Sequence, residues 1–207
     1  MAAAIPSPPG VPPQAEARLA EEVPDLDGNV LDDPAWAGVQ PLTAFWQTTP
    51  DAGAPASQPT EVRILFSDDT LYFGVVCFDD DPSGIIVNES RRDASLDDTD
   101  RFRIILDTYL DRQNGFVFGT NPTGLIYDGQ VTNEGEGGGV FGSSLGGLNL
   151  NWNGAWTVRT LTGDFGWSAE FAVPFSTLRY DREATRAWGC LLYTSDAADV
   201  PFECRSR

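Results

Sequence analysis

The stretch TEVRILFSDDTLYFGVVCF, residues 60–78, decides the fold of this 207-residue chain. In residues 60–67 apolar and polar side chains alternate, which predicts a half-buried strand. The pair Asp68-Asp69 is a candidate two-residue turn, and residues 70–78 are a nearly continuous apolar run, typical of a central strand buried on both faces. Together these segments predict a β-hairpin within a sheet.

Further strand-like segments follow the same logic along the chain. A first short strand is expected at Phe45-Trp46, and alternating segments lie at residues 100–107, 116–120, 125–131, 156–162 and 167–173. These segments are separated by turn-forming residues, and the chain holds 21 glycines and 15 prolines. The pattern predicts an all-β fold, an antiparallel β-sandwich or jelly roll of about eight or nine strands.

The chain divides into three parts. Residues 1–24, rich in Pro and Ala, are expected to form a disordered leader, and residues 25–189 the sandwich. Residues 190–207 are expected to be a non-native or irregular tail, because CLLYTSDAAD resembles a translated sequencing-adapter read-through; a divergent terminus is the alternative. No signal peptide and no run of roughly 20 apolar residues is visible, so we expect no direct membrane insertion.

The charge of the chain is strongly negative. It carries 31 acidic and 13 basic residues, a formal net charge of −18, and every basic residue is arginine. Such a surface repels phosphate backbones and anionic lipid headgroups, so nucleic acid is excluded as a partner. An acidic surface also keeps a protein soluble, which is the simpler explanation of the charge.

The absence of histidine removes several kinds of active site. Ser–His and Cys–His nucleophile pairs and imidazole-ligated zinc cannot form within the chain. Paired carboxylates would remain as a possible catalytic pair, but the acidic residues lie mostly in turns. Glu170, in the middle of a strand, is expected to point to the opposite face from its apolar neighbours. We therefore expect no enzyme. Among three cysteines without metal-like spacing, Cys77 is expected to be a small core residue.

Several segments together resemble one protein family. They include LDGNVLDDPAW, RRDASLDDTDRFRIILDTYLDRQNGFVFGTNPTGLIYDGQ and GWSAEFAVPFSTLRY, and the resemblance runs over residues 25–189. The chain resembles the family 9 carbohydrate-binding modules, in the DOMON-like form found at the N-terminus of bacterial outer-membrane barrel proteins of unknown function. The resemblance implies a jelly-roll-like sandwich that binds sugar, often beside calcium.

The same resemblance implies partners and a location. The expected partners are the end of a glycan or polysaccharide and a downstream barrel domain of the same full-length protein. The expected location is the cell envelope or the extracellular space, with a role in carbohydrate catabolism or uptake. A structural or plug-like domain packed on a barrel is one alternative, and an accessory module of a glycoside hydrolase is another.

The residues that bind the ligand in this family are replaced by other residue types in this sequence. Two tryptophans enclose a terminal sugar ring, and one of them precedes the strand that corresponds to residues 100–107. This sequence has Asp97 and its neighbours there, without an aromatic side chain. By the same register a family glutamate corresponds to Arg103, and a family arginine to about Gly119.

Two other tryptophans are candidates for an aromatic platform. Trp152 and Trp156 flank the Gly-rich residues 132–150, and exposed aromatic rings stack on the C–H faces of sugars. The alternative is that both belong to the core, since Trp156 begins a strand.

Polar side chains nearby could bond sugar hydroxyls or a carboxylate. They lie before the second acidic loop and on the following hairpin: Arg91, Arg92, Asp93, Asn121 and Asp128. The alternative is that they anchor loops through salt bridges.

Carboxylates in two acidic runs are candidate calcium ligands. Calcium takes six to eight oxygen ligands, which loops must bring together. The candidates are Asp79, Asp97, Asp98 and Asp100. None of them matches the spacing of an EF-hand loop, and solvated acidic turns are the alternative.

Overall fold

A computed structural model of the chain describes residues 14–47, 51–132, 147–180, 186–195 and 200–206, the last of these as backbone only. Most of the predicted leader, residues 1–13, and most of the Gly-rich loop, residues 133–146, lie outside the described residues.

The described residues form twelve strands in two sheets. In chain order the strands are β1 Gln14–Glu16, β2 Arg18–Leu19, β3 Thr60–Phe66, β4 Thr70–Phe78, β5 Phe102–Asp107, β6 Gly115–Thr120, β7 Tyr127–Val131, β8 Leu148–Asn149, β9 Thr157–Gly163, β10 Gly166–Pro174, β11 Arg186–Thr194 and β12 Val200–Ser206. One sheet has the order β1-β12-β11-β5-β6-β7-β8, and the other β2-β3-β4-β10-β9. Within these described residues, no helix has the length and hydropathy needed to cross a membrane.

The predicted β-sandwich is confirmed. The hairpin of β3 and β4 pairs Thr60 with Cys77 and Phe66 with Leu71, and β4 lies centrally between β3 and β10. At Phe45-Trp46 the expected strand is only an isolated bridge between Trp46 and Pro55. A proline has no N–H to extend a ladder, so pairing there stops at one bridge.

Two strand pairs are parallel, which the predicted antiparallel pattern did not include. They are β1 with β12 and β2 with β3, both made by the short strands near the N-terminus. All the other neighbouring strands in the two sheets pair antiparallel.

The main core lies between the sheets and follows from strand alternation. In β5 the inward side chains are Phe102, Ile104 and Leu106, and each is 0% exposed. The facing strands β4 and β10 contribute their own alternate residues, among them Phe73, Val75, Phe171 and Val173. Cys77 belongs to this cluster, as predicted.

The outer face of the five-stranded sheet is covered by the segment that precedes β3. Trp36 ends a short 3-10 turn, Pro34–Trp36, and is 2% exposed. Its ring lies against Gly74 of β4, where an added Cβ would come within 2.9 Å of the indole. A side chain at residue 74 would therefore displace Trp36 from the sheet.

The sandwich extends beyond the predicted bounds of 25 and 189. Strands β1 and β2 lie within the predicted leader, and β11 and β12 reach into the predicted irregular tail. Of the described tail side chains, Cys190 and Leu192 are buried in the main core at 1% and 0% exposure. These residues take regular structure because β5 offers them a paired edge.

Candidate functional site

Four of the predicted site residues lie at one edge of the sandwich, at and around Asp128 of β7. Arg92 donates from Nη2 to Asp128 Oδ1 at 2.5 Å and from Nε to Asn153 Oδ1 at 3.1 Å. The Gly154 N–H donates to Asp128 Oδ2 at 2.5 Å. Asp93 accepts an N–H from Asp128 at 3.4 Å. We call the group of Arg92, Asp93, Asp128, Asn153 and Trp152 the edge cluster.

The electrostatics of the edge cluster centre on a buried carboxylate. Asp128 is 0% exposed, and burial raises its pKa, while the Gly154 N–H and the Arg92 guanidinium act in the opposite direction. Arg92 keeps 42% of its side chain exposed. The buried carboxylate thus orients a guanidinium that still faces solvent.

Trp152 completes the edge cluster from the loop between β8 and β9. Its half-buried ring lies 5.1 Å from the ring of Phe116 and 6.0 Å from that of Phe118, so it packs against the core. Trp156 is 8% exposed and stacks on Phe171 at 5.8 Å with an interplanar angle of 4°. The geometry therefore places Trp156 in the core and Trp152 at its rim.

The other two predicted ligand-binding residues lie outside the edge cluster. Arg91 pairs with Glu89 at 2.6 Å and is 82% exposed; this guanidinium and two N–H groups lower the pKa of Glu89 to about 2. Asn121 is 0% exposed, and its amide is committed to the backbone of Glu89, Thr123 and Leu125. Asn121 therefore shapes the turn between β6 and β7.

Arg103 and Gly119, which the resemblance aligns with polar residues of the family, are packed against this chain's own side chains. Arg103 and Gly119 face each other across β5 and β6. The Arg103 guanidinium lies 5.3 Å from the centre of the Tyr127 ring and 3.2 Å from the Asp97 carboxylate. Leu96 packs onto Gly119, within 2.9 Å of where a Cβ would stand. These contacts leave Arg103 only 6% exposed.

The four candidate calcium ligands all lie in the connection between β4 and β5, residues 79–101, and each makes a hydrogen bond to another residue of the chain. Asp79 follows β4 and accepts the Asp81 N–H, whereas Asp97 is paired with Arg103. Asp100 accepts the Ile86 N–H at 2.6 Å and the Ser195 hydroxyl at 2.8 Å, and the Asp98 carbonyl accepts the Asn88 amide. Among the described residues no three Cys, Asp or Glu side chains are grouped as metal ligands would be. Calcium stays a prediction.

Glu170, the acidic residue in the middle of β10, has a structural role. It is 0% exposed and accepts N–H donors from Asp27 at 3.0 Å, Gly28 at 2.7 Å and the Trp36 indole at 2.8 Å. Burial raises its pKa above the ordinary value. With its two oxygens engaged inside the protein, this carboxyl is not presented to a substrate.

Two grooves lie at one end of the sandwich, where β5 ends and β6 begins. The first has a volume of about 390 Å³ and the second about 770 Å³. Tyr109 and Arg179 line both of them. Phe116, whose ring touches Trp152, lines the first, so the edge cluster and the grooves are neighbours.

Sequence reasoning missed Asn153 and Tyr109. Asn153 carried a signal, because it lies beside Trp152 in the polar run NLNWNG. No sequence pattern indicated Tyr109. It follows a strand in an irregular loop, where the alternation of side chains that predicts exposure is absent. Only the loop geometry brings it to the surface at 48% exposure.

Comparison with known proteins shows the fold. No family model matches the chain, and the curated proteins gave no match. A family 9 carbohydrate-binding module of Caldicellulosiruptor kristjanssonii in complex with glucose is similar, with 12% identity, 94% of this chain and 96% of that one covered, and a TM-score of 0.57. The same kind of module in complex with cellotriose shows 13% identity, 93% and 95% coverage, and a TM-score of 0.53.

A third solved structure supports the same assignment. It is a protein named provisionally as carbohydrate-binding, from Bacteroides uniformis, with 8% identity, 94% and 91% coverage, and a TM-score of 0.62. At these identities the likeness defines the class of fold: the chain is a β-sandwich of the kind used by carbohydrate-binding modules.

Proposed function

We propose that this chain is a non-catalytic carbohydrate-binding domain that recognises the end of a glycan or polysaccharide. The observation that carries the proposal is the edge cluster, where the Arg92 guanidinium bonds both Asp128 and the Asn153 amide, and the half-buried Trp152 directly precedes Asn153 in the same loop. Sugar recognition combines an apolar ring face with a few oriented polar groups, and this edge supplies both.

The fold adds support of a general kind. Two of the similar structures hold glucose and cellotriose, and both are carbohydrate-binding modules. The mid-strand Glu170 is buried and engaged by three N–H donors. We therefore propose binding without turnover.

The wider setting is proposed from the sequence resemblance. We place the domain in a DOMON-like group at the N-terminus of an outer-membrane barrel protein, in the cell envelope or outside the cell. There it would hold a glycan during carbohydrate uptake or catabolism. Two alternatives would have the same fold but a different function: a plug-like structural domain and an accessory module of a glycoside hydrolase.

The test is a calorimetric titration of the purified chain with neutral trisaccharides of glucose, xylose, mannose and galactose. Asn153→Ala is expected to weaken binding roughly fivefold or more, because it removes one polar contact at an exposed position. Asn151→Ala, an exposed neighbour of the same type, is the matched control. If the unmodified chain binds none of these sugars, the proposal is wrong and the alternative of a structural, plug-like domain is favoured.

A further inference from the structure

Tyr109 is the most exposed aromatic side chain that the structure describes. It is 48% exposed, whereas every other described Trp, Tyr and Phe side chain is buried or half-buried. Because the ring also lines both grooves, it offers an apolar face on which a ligand could stack.

The loop that carries Tyr109 is fixed by hydrogen bonds. The Asp107 carboxylate accepts N–H groups from Tyr109 and Asp111 at 3.2 Å and from Arg112 at 2.7 Å. The Thr108 hydroxyl donates to the Arg179 carbonyl at 2.5 Å, which ties Arg179 to the residue that precedes Tyr109. The ring is therefore presented by an ordered loop, which lowers the entropy lost on binding.

The backbone of this loop is also strained. Leu110 and Arg112 have φ angles of 53° and 58°, in the left-handed region that costs a non-glycine residue energy. The Asp107 carboxylate and the adjacent Asp111 side chain, which accepts the N–H groups of Gln113 and Asn114 at 2.8 Å, hold the chain in this shape. Such strain is often kept where a surface has to be shaped for a ligand.

The grooves on either side of Tyr109 offer mixed chemistry. The first adds the carboxylate of Asp111 and the amides of Asn114 and Gln130. The second adds the half-buried rings of Phe175 and Tyr180 beside Asp68 and Asp69. Their volumes, about 390 and about 770 Å³, fall within the range of roughly 300–1,000 Å³ typical of sites for small ligands.

The charge of these grooves selects among ligands. The two grooves are lined by three acidic residues, Asp68, Asp69 and Asp111, and by one basic residue, Arg179, and the whole chain carries a net charge of −18. Carboxylates accept hydrogen bonds from hydroxyl groups but repel other anions. The chemistry thus fits a chain of hydroxyl groups and apolar C–H faces without acidic substituents.

We propose that the two grooves form one binding site for an uncharged oligosaccharide, with Tyr109 as the stacking platform between them. The proposal rests on the proposed carbohydrate-binding function and adds a location that is distinct from the edge cluster. A sugar ring lies on Tyr109, and its neighbours reach Arg179 and the amides of Asn114 and Gln130.

The experiment is calorimetric titration of the full chain and its variants with the same four neutral trisaccharides, and with trigalacturonate as the anionic probe. Tyr109→Ala is expected to lower the affinity roughly tenfold or more, because it removes the stacking ring. Tyr109→Phe is expected to keep most of the affinity. Leu161→Ala, at a 39% exposed apolar residue of β9 that lines neither groove, is the control.

Each outcome decides a separate question. Binding that is lost in Tyr109→Ala, at an unchanged melting temperature, supports the groove. Binding that survives Tyr109→Ala but weakens in Asn153→Ala overturns the groove and leaves the edge cluster as the site. Binding of trigalacturonate as tight as that of the neutral sugars overturns the charge argument, and no binding of any sugar overturns both proposals.

Discussion

Glu170 shows how a single buried carboxyl holds a distant part of the chain. Its oxygens accept the N–H groups of Asp27, Gly28 and the Trp36 indole, across more than 130 positions of sequence. Gly28 has a φ of 93°, and an added Cβ would come within 2.5 Å of the Thr160 backbone. The turn at Asp27-Gly28 therefore fits the sheet only with glycine, and Glu170 fixes it there.

Glu170→Gln is expected to lower the free energy of unfolding by about 1–3 kcal/mol, because an amide can accept at only one of its two terminal atoms. Burial raises the pKa of Glu170 in the folded chain, so its contribution is full below the unfolded pKa and is lost as the pH rises through the folded pKa. The difference between the two proteins should therefore shrink as the pH rises above about 4.3.

Urea unfolding of both proteins between about pH 4 and pH 8 measures this difference. The control is Glu22→Gln, at an exposed glutamate. A Glu170→Gln difference that grows with pH would contradict the assigned direction of the pKa shift.

At the scale of elements, β11 shows that the sandwich continues past residue 189. Its inward residues Trp188, Cys190 and Leu192 lie in the main core, and it pairs with β5 over six residue pairs from Gly189 to Thr194. A boundary at residue 189 cuts this strand in half. The regular alternation of β11 continues through the position where the sequence suggested an irregular tail.

Truncation tests this boundary. A chain that ends at residue 189 loses the buried Cys190 and Leu192, and we expect it to be destabilised by roughly 2–5 kcal/mol or to fail to fold. A chain that ends at residue 195 keeps β11 and should fold with a smaller loss of melting temperature. Thermal unfolding followed by circular dichroism compares the two, and equal midpoints would show that β11 adds nothing to stability.

For the whole molecule, charge is the dominant property. A net charge of −18 repels itself in the compact state, and salt screens that repulsion. Both sodium chloride and magnesium chloride should therefore raise the melting temperature from its value at low ionic strength.

A comparison of calcium with magnesium distinguishes charge screening from binding at a specific site. If the chain holds a calcium site, millimolar calcium raises the melting temperature above the value in magnesium at the same concentration, because a ligand that binds only the folded state stabilises it. Differential scanning fluorimetry of the chelated protein with each ion measures this. Equal midpoints in the two ions would leave screening as the whole effect.

The sequence by itself determined the strands. Alternation in residues 60–78, and again near β5, β9 and β10, gave bounds within two residues of those observed, since the side chains of a strand point to opposite faces. It also placed Cys77 in the core and Glu170 on the outward face of β10. Short edge strands such as β1 and β2 carry too few residues for a period, so they were missed.

Only the tertiary structure decided which polar groups meet. Arg92 reaches Asp128 across 36 positions, and Glu170 reaches Asp27 across 143, because strands far apart in sequence lie next to each other in a sandwich. Local pattern likewise cannot tell the rim position of Trp152 from the core position of Trp156. Nor can it show that Tyr109 stands exposed between two grooves, since exposure depends on what the rest of the chain leaves uncovered.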